Sequence, residues 1–390
     1  MSLDDDVRAE LRQLEEQHRL RVPRVVDSGQ SSTIVLDGVE VWNFASNDYL
    51  GLAEDERLAK AAAAATMELG TGVGASRLIT GNQRQHALLE QEIADWLRVP
   101  SARLFNSGYA ANVGVLTTLL GPGDVVFSDE LNHASIIDGC RLSRAEVAVY
   151  PHLDMVALER ELGRRTSSRR KLVVSETLFS MDGDVADVVA LARLARSADA
   201  ALMLDEAHAV GVWGPEGRGV AALAGVIPEL LVGTCGKALG SFGAFVGAST
   251  AITQLLWTRA RSLVFSTGLP PAVSAATRAA VEIVRGTDGS DLRRSLAHSV
   301  RVLRGSGLPL GGSVESAIAP LLVGDDRRVM AMTASLLEPS PGSGWRYFVQ
   351  GIRPPTVPEG GARLRVSLSA RHSLASVAEL SSRLEALAER

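Results

Sequence analysis

Seven short apolar runs, separated by longer segments of helical character, constrain the fold of this 390-residue chain more than any other feature. They lie between about residues 100 and 250 and read RLF, DVVF, EVAVY, KLVVSE, ALMLDE, ELLVGT and AFVGA. This alternation predicts a mostly parallel sheet covered by helices on both faces, which is an α/β architecture. Functional groups collect where the strands of such sheets end, so the polar residues after each run become the candidates.

The flanking segments predict a helical arm, a hairpin and a smaller C-terminal part. Residues 1 to about 24 form an amphipathic helical pattern, and STIVLDGVEVWNFAS predicts a hairpin with Asp37 and Gly38 as its turn. A long helical region begins near Pro271, and the last helix has an apolar face of Val377, Leu380, Leu384 and Leu387. We therefore expect an N-terminal arm with a hairpin, a large domain and a small C-terminal domain, over 1–50, 51–275 and 276–390.

Charge and cysteine content exclude several classes of function. The net charge is -5 and basic residues are scattered among acidic ones, so no surface for nucleic acid is evident. Cys140 and Cys235 lie far apart without a CxxC or Cys/His spacing, which argues against a disulfide framework or a metal site. The sequence shows neither a signal-peptide stretch nor a run of about eighteen apolar residues. We expect no membrane partner and a cytoplasmic location.

Two residues at strand ends suggest a covalently bound cofactor. Asp205 ends the run LMLD, where a buried carboxylate requires a cationic partner such as a protonated pyridine nitrogen. Lys237 lies in GTCGKALGS, where neighbouring glycines let the backbone approach a ligand closely. Each residue has a simpler interpretation, since Asp205 could be a helix N-cap or a magnesium ligand and Lys237 a loop cation.

The segment NSGYAANVGVL predicts a phosphate site. It combines a strand end, a tight turn at Gly108 and a helix start, where backbone amides bind phosphate, and Thr234 could add a hydroxyl. His133 in SDELNHAS and His208 in DEAH could stack on a ring or donate to its oxygen. An ordinary turn and structural histidines are the alternatives. Together, however, these features occur in the order that a fold-type-I pyridoxal 5'-phosphate (PLP) enzyme requires.

Two other segments were weighed as ligand sites. GTGVGASRLITG, over 70–81, lacks the GK[ST] ending of a P-loop and the spacing of a dinucleotide site, so we reject both. Arg353 precedes two prolines that restrict the backbone, which favours a clamp on a carboxylate. Its alternative is a surface arginine on a rigid turn.

The chain resembles the α-oxoamine synthase family along nearly its entire length. The motifs that match are SNDYLGL, SGYAAN, HAS, SMDGD, DEAH, GKALGS, STGLPP and RPPTVP. The resemblance implies a fold-type-I, aspartate aminotransferase-like PLP transferase, with a mostly parallel seven-stranded sheet in the large domain and a smaller α+β C-terminal domain. It also implies a homodimer with active sites at the subunit interface.

The same resemblance implies roles for individual residues. Lys237 matches the Schiff-base lysine, Asp205 the partner of the pyridine nitrogen and His133 the residue that stacks on the ring, and these three form the catalytic set. The other positions that match the cofactor site are Gly108, Tyr109 and Thr234 on the phosphate side, Ser180 and His208 near the phenolic oxygen, and Ser266 and Thr267 toward the phosphate in the partner subunit. The positions that match substrate contacts are Arg21, Asn47, His133, Arg353 and Thr356.

The implied reaction is a decarboxylating condensation of an amino acid with an acyl thioester. RPPTVP followed by GGARLR is most similar to the branch that joins L-alanine to a pimeloyl thioester, carried on CoA or a carrier protein, in biotin biosynthesis. The main alternative is a branch that joins glycine to acetyl-CoA. A regulatory subunit that has lost its lysine is disfavoured because Lys237 is retained, and a nucleotide-dependent enzyme predicts ATP or NAD binding.

Two segments depart from the family pattern. GVGASR stands where the family often reads GSGGSR, which affects contacts near Ser76. The connection EPSPGSGWRY is longer than usual, and its composition predicts a surface loop over 338–344. Because this loop lies just upstream of Arg353, it could alter the acyl entrance.

Overall fold

The computed structural model describes residues 2–389, and the chain divides into two compact units. The first unit is discontinuous and contains residues up to Gly51, Met181–Asp184 and the chain from Arg294 onward. The second unit contains Leu52–Ser180 and Val185–Arg293. The domain limits predicted at residues 50 and 275 stay a prediction.

The described chain contains helices and strands in the following order. The helices are α1 Leu3–Glu16, α2 Glu56–Leu69, α3 Arg84–Leu97, α4 Gly108–Leu119, α5 Ala134–Ser143, α6 Met155–Arg164, α7 Val188–Ser197, α8 Val220–Leu223, α9 Thr250–Arg259, α10 Arg261–Val264, α11 Pro271–Arg285, α12 Thr287–Arg304, α13 Asp326–Leu337 and α14 Leu374–Ala388. The strands are β1 Thr33–Leu36, β2 Val39–Asn43, β3 Ser101–Phe105, β4 Val125–Asp129, β5 Glu146–Tyr150, β6 Lys171–Glu176, β7 Ala201–Asp205, β8 Leu230–Thr234, β9 Ala244–Ala248, β10 Ile318–Gly324, β11 Tyr347–Phe348, β12 Gln350–Ile352 and β13 Ala362–Ser367.

A seven-stranded sheet forms the centre of the second unit, as the apolar runs predict. Its strand order is β3-β9-β8-β7-β6-β4-β5, and each of these strands coincides with one of the runs. β9 is antiparallel to both of its neighbours, whereas the other pairs are parallel. The carboxyl ends of the parallel strands therefore meet at one edge of the sheet.

Helices pack on this sheet through a continuous apolar core. The inner strands are buried along nearly their whole length, as expected for a sheet covered on both faces, whereas the edge strand β5 is largely exposed. The buried sheet residues of this core are Phe105, Val126, Leu172, Val174, Met203, Leu230, Val232, Ala244, Val246 and Ala248. Its helical residues include Ala111, Val115 and Leu116 of α4 and Ile136 and Cys140 of α5. These contacts fix α4 and α5, which begin near the carboxyl edge.

The first unit contains two three-stranded sheets. The predicted hairpin is confirmed, because β1 pairs with β2 and the turn residues Asp37 and Gly38 have φ angles of 50° and 78°. β11 adds to this hairpin in parallel, and the other sheet has the order β10-β13-β12. The 338–344 segment connects α13 to β11 and is largely exposed, as predicted.

Two negative findings concern the described residues. None of their helices is both long and apolar enough to cross a membrane. They also contain no group of three or more His, Cys, Asp or Glu side chains placed to hold a metal ion.

Candidate active site

The carboxyl edge of the central sheet gathers the polar residues that follow the apolar runs. Asp205 ends β7 and lies opposite Glu176, which ends β6. Thr234 ends β8, and Lys237 follows in the turn after it. The strand directions that bring these residues together follow from the parallel pairing of β6, β7 and β8.

Asp205 is a buried carboxylate that accepts hydrogen bonds from two donors. Its exposed fraction is 5%, and its Oδ1 accepts a hydrogen bond from the backbone N–H of Ala207 at 2.9 Å. Its Oδ2 accepts from the side-chain Nδ2 of Asn112 at 2.7 Å. Both donors stabilise the ionised carboxylate and fix its orientation. A buried anion held in this way is suited to pair with a cationic ligand group.

The Lys237 amine lies beside His208 in the same unit. The distance between Lys237 Nζ and His208 Nε2 is 2.9 Å, so the imidazole nitrogen can accept a hydrogen bond from the amine. The turn that carries Lys237 is tight, since Gly240 has a φ of 58° and its backbone N–H donates to the Lys237 carbonyl. Any Cβ at Gly240 would approach backbone atoms of Leu52 and Ala53 within about 2.5 Å, so this turn requires glycine.

The start of α4 lies close to Thr234, as the phosphate-site hypothesis requires. A Cβ built on Gly108 would lie 2.8 Å from Thr234 Cγ2, so the two chain segments approach as closely as glycine allows. Ser107 caps the helix and accepts from the backbone N–H of Ala110 at 3.0 Å. Tyr109 lies in the first turn, is 47% exposed, and donates from its hydroxyl to Asp138 at 2.5 Å. This hydrogen bond raises the pKa of Tyr109.

His133 caps α5 beside the two carboxylates. Its Nδ1 lies 2.7 Å from Ser135 Oγ and also accepts from the Ser135 backbone N–H at 3.2 Å. Although His133 remains accessible to solvent, partial desolvation lowers its pKa, while the Asp205 carboxylate opposes that shift. Burial raises the pKa of Glu176, and the nearby charge of Asp205 raises it further. The backbone N–H groups of His133 and Ser180 oppose the shift of Glu176, which places Ser180 at the same edge.

Thr267 lies near the start of α4 within the same chain. Its carbonyl accepts from the Asn106 side chain at 2.9 Å, and its backbone pairs with Ser76 in the glycine-rich segment. That segment is anchored by the buried Arg77, which pairs with Glu90 at 2.6 Å. The predicted reach of Ser266 and Thr267 to the phosphate in the partner subunit stays a prediction.

The residues at this edge fit PLP. The cofactor requires an amine for covalent attachment, an anion for the pyridine nitrogen and a close backbone approach for the phosphate. Lys237, the buried Asp205 and the contact between Gly108 and Thr234 match these three requirements. His133 places an accessible imidazole beside them.

Three of the predicted substrate residues line one cavity in the first unit. The cavity has a volume of about 530 Å³, and Arg21, Arg353 and Thr356 contribute to its wall. Arg21 donates from its guanidinium to Thr356 Oγ1 at 2.8 Å, and Arg353 donates to the carbonyl of His18. Burial lowers the pKa of Arg353. The nearby charge of Asp326 opposes this shift, and the charge of Arg21 adds to it.

Asn47 lies beside Arg365, a buried arginine that is not among the predicted site residues. Its Oδ1 accepts from the Arg365 guanidinium at 3.2 Å, and Arg365 also donates to Ser367 at 2.7 Å. Arg365 is 5% exposed within β13, whose residues are all buried. An arginine in a strand with apolar neighbours signals a buried charge that needs a partner, and this signal was available in the segment ARLRVS.

Comparisons with known proteins agree with this geometry. The model of the family of class I and II aminotransferases matches residues 39–384. An 8-amino-7-oxononanoate synthase from Geobacter sulfurreducens is 49% identical over 94% of this chain and 93% of the relative. A serine palmitoyltransferase structure from S. paucimobilis, with PLP–myriocin bound, matches with a TM-score of 0.91 and 29% identity over 99% of this chain and 97% of that chain. An 8-amino-7-oxononanoate synthase structure from Francisella tularensis matches with a TM-score of 0.75 and 25% identity over 90% and 97% of the two chains.

Proposed function

The chain belongs to the class I and II aminotransferase family and, within it, to the 8-amino-7-oxononanoate synthases, and we propose that it condenses L-alanine with a pimeloyl thioester. The products are 8-amino-7-oxononanoate, carbon dioxide and the free thiol of CoA or of a carrier protein. The observation that carries this proposal is the placement of Lys237, His208 and the buried Asp205 at one sheet edge, in a chain 49% identical to such a synthase.

The cofactor site is formed by residues of the second unit. Bound PLP supplies an electron sink that stabilises negative charge at the Cα of the amino acid. Asp205 would pair with the pyridine nitrogen, and its two N–H donors hold the carboxylate in a fixed orientation. His133 would stack on the ring, while Gly108, Tyr109 and Thr234 would hold the phosphate side. Ser180 and His208 would lie near the phenolic oxygen.

Lys237 would hold the cofactor and then move a proton. The amine of Lys237 could also remove the Cα proton of alanine, because a neutral amine is a base of suitable strength. The hydrogen bond to His208 helps to hold this amine in position.

The cavity in the first unit suits the acyl group. A pimeloyl chain ends in a carboxylate, which Arg21 and Thr356 can bind through charge-assisted hydrogen bonds. Its methylene groups match the apolar side chains of the cavity wall, which are Leu20, Val22, Met330, Phe348 and Ile352. A bound carboxylate would also offset the repulsion between Arg21 and Arg353. An acetyl group has no charged end and uses none of these contacts.

Asn47 and Arg365 are suited to bind the carboxylate of the amino acid. A buried guanidinium provides a fixed pair of donors for a carboxylate, and Asn47 orients it. Arg353 was the residue that the sequence favoured for a carboxylate clamp. Its position in the cavity with Arg21 supports a role in binding the carboxylate of the acyl chain.

Replacing Arg21 by alanine should weaken binding of the acyl substrate selectively. Loss of a charge-assisted hydrogen bond is expected to raise the KM for pimeloyl-CoA roughly tenfold or more, with little change in the KM for alanine. Steady-state kinetics with each substrate varied separately would measure both constants. The control is Arg12→Ala, an exposed arginine of α1, which should leave both constants unchanged. An unchanged KM for pimeloyl-CoA in Arg21→Ala would remove Arg21 from the acyl site.

A homodimer and a cytoplasmic location complete the proposal. Several apolar side chains of the second unit are exposed, and they include Leu78 and Ile79 in the glycine-rich segment as well as Phe242 and Phe265. Such side chains are favoured at subunit interfaces, which supports a dimer with active sites at the interface. The proposed cytoplasmic location follows from the acyl thioester substrate, which is produced and consumed inside cells.

Assays with paired substrates test the proposed function. Purified, PLP-supplemented protein would be incubated with alanine or glycine and with pimeloyl-CoA, pimeloyl carrier protein or acetyl-CoA, and the amino ketone identified by mass spectrometry. We expect the largest kcat/KM for alanine with a pimeloyl thioester. Preference for glycine and acetyl-CoA would instead assign the chain to the other branch of the family.

A further inference from the structure

A buried chain of hydrogen bonds connects Asp205 to His133. Asn112 of α4 donates from Nδ2 to Asp205 Oδ2 at 2.7 Å and to Ser135 Oγ at 2.9 Å. Ser135 Oγ in turn lies 2.7 Å from His133 Nδ1. Asn112 is 1% exposed and Ser135 is fully buried, so solvent does not replace these contacts. Three elements, β7, α4 and α5, contribute to this relay, which comprises Asp205, Asn112, Ser135 and His133.

The chemistry of the groups fixes where each proton lies. Asp205 Oδ2 accepts from Asn112 Nδ2 at 2.7 Å, so the amide of Asn112 presents its NH₂ group to the carboxylate. The two N–H bonds of that group then serve Asp205 and Ser135. The opposite orientation would place the amide oxygen against the carboxylate. Since Ser135 Oγ accepts from Asn112, its own hydrogen is free to point toward His133 Nδ1.

His133 Nδ1 therefore receives two donors. The hydroxyl of Ser135 lies at 2.7 Å and the backbone N–H of Ser135 at 3.2 Å. A nitrogen that accepts hydrogen bonds carries no proton, and the proton of the neutral imidazole must then lie on Nε2. Partial desolvation lowers the pKa of His133, which favours this neutral form.

We propose that Asn112 and Ser135 are positioning residues that hold His133 as the Nε2–H tautomer and couple its orientation to the Asp205 carboxylate. The inference rests on the proposed function only in assigning His133 to the PLP site. In this tautomer the imidazole of His133 has one hydrogen-bond donor, Nε2–H, which is available to an oxygen of the substrate or cofactor. The relay also explains why α4 carries a polar side chain on the face that packs against the apolar core.

The test combines proton positions with kinetics. Neutron crystallography of the PLP-loaded, deuterated full-length protein should show deuterium on Nε2 of His133, none on Nδ1, and the Ser135 deuteroxyl directed at Nδ1. In Ser135→Ala we expect deuterium to appear partly on Nδ1, because the stronger donor is lost. We also expect kcat to fall about tenfold with the KM for alanine changed less than about twofold, since a wrong tautomer impairs catalysis more than binding.

A matched control separates this role from packing. Ser143 also lies in α5, is buried and donates from its hydroxyl to the Cys140 carbonyl at 2.6 Å, but it does not contact the relay. Ser143→Ala should retain kcat and the His133 tautomer. A second variant, Asn112→Ala, removes the other link and should redistribute the deuterium in the same way as Ser135→Ala.

Two outcomes would overturn the proposal. One is deuterium on Nδ1 of His133 in the unmodified protein, and the other is an unchanged tautomer and kcat in both relay variants. Because the proton map of the unmodified protein does not depend on which acyl substrate is used, a failed synthase assay with an Nε2–H imidazole would count against the proposed function alone.

Discussion

Replacing Lys237 by alanine is expected to reduce turnover by about a thousandfold or more while PLP still binds. The variant loses both the covalent link to the cofactor and the amine that removes the Cα proton, and a positioned base alone contributes about 10² to 10⁴ in rate. The other cofactor contacts, from Asp205, His133 and the turn at Gly108, remain. PLP affinity should be measured by absorbance titration and turnover by product formation.

The small number of lysines makes the attachment site easy to identify. The sequence contains lysine at positions 60, 171 and 237. After borohydride reduction and proteolysis, mass spectrometry should locate the pyridoxyl group on the peptide with Lys237 in the unmodified protein. Lys60→Ala is the control, because Lys60 is exposed on α2 and pairs with Glu56, and it should be labelled and active. Full activity of Lys237→Ala, or a label on another lysine, would contradict the assignment.

Local patterns predict the elements of this fold well. The seven apolar runs form the seven strands of the large sheet because each run is short, rich in apolar residues and bounded by polar or glycine residues. The hairpin at Asp37 and Gly38 was equally clear, since that pair favours the positive φ angles which a two-residue turn needs. Both features depend on neighbouring residues alone.

Long-range pairing could not be obtained in the same way. β9 inserts between β3 and β8 and is antiparallel to both, although its sequence AFVGA is as apolar as the sequences of the parallel strands. β11 pairs with β2, about three hundred residues earlier, through a contact of Tyr347 with Trp42. Strand composition reports burial and not the identity of a partner, so neither pairing has a local signal.

In the candidate site, too, some residues can be predicted from their neighbours in sequence, whereas others depend on tertiary packing. Lys237, Asp205 and Gly108 were selected because their neighbours define a turn or a strand end. Asn112 was not selected, although it lies in the same SGYAAN motif. A polar side chain on an otherwise apolar helix face indicates that it has a buried hydrogen-bond partner. That this partner is Asp205 depends on how α4 packs against β7, which the local sequence does not show.

Asp205→Asn is expected to lower kcat/KM by about 10² to 10³, because a neutral amide cannot stabilise positive charge on the pyridine nitrogen. The change is nearly isosteric, so the cofactor should still bind. The amide also brings an N–H group against the donors from Asn112 or Ala207, which costs about 1 to 3 kcal/mol in stability. Turnover, PLP affinity and thermal unfolding should be measured on the same preparation.

Asp129→Asn provides a control that separates the loss of stability from the loss of chemistry. Asp129 is also a buried carboxylate at the end of a strand of the large sheet, and it accepts from the backbone N–H groups of Leu131 and Leu153, each at 2.9 Å. Its conversion to asparagine creates a similar donor conflict, so stability should fall while kcat/KM is retained. If both variants lost activity equally, the effect of Asp205 would be structural. An Asp205→Asn variant with unchanged turnover would exclude this carboxylate from the electron sink, since charge at the ring nitrogen would then have no influence on the rate.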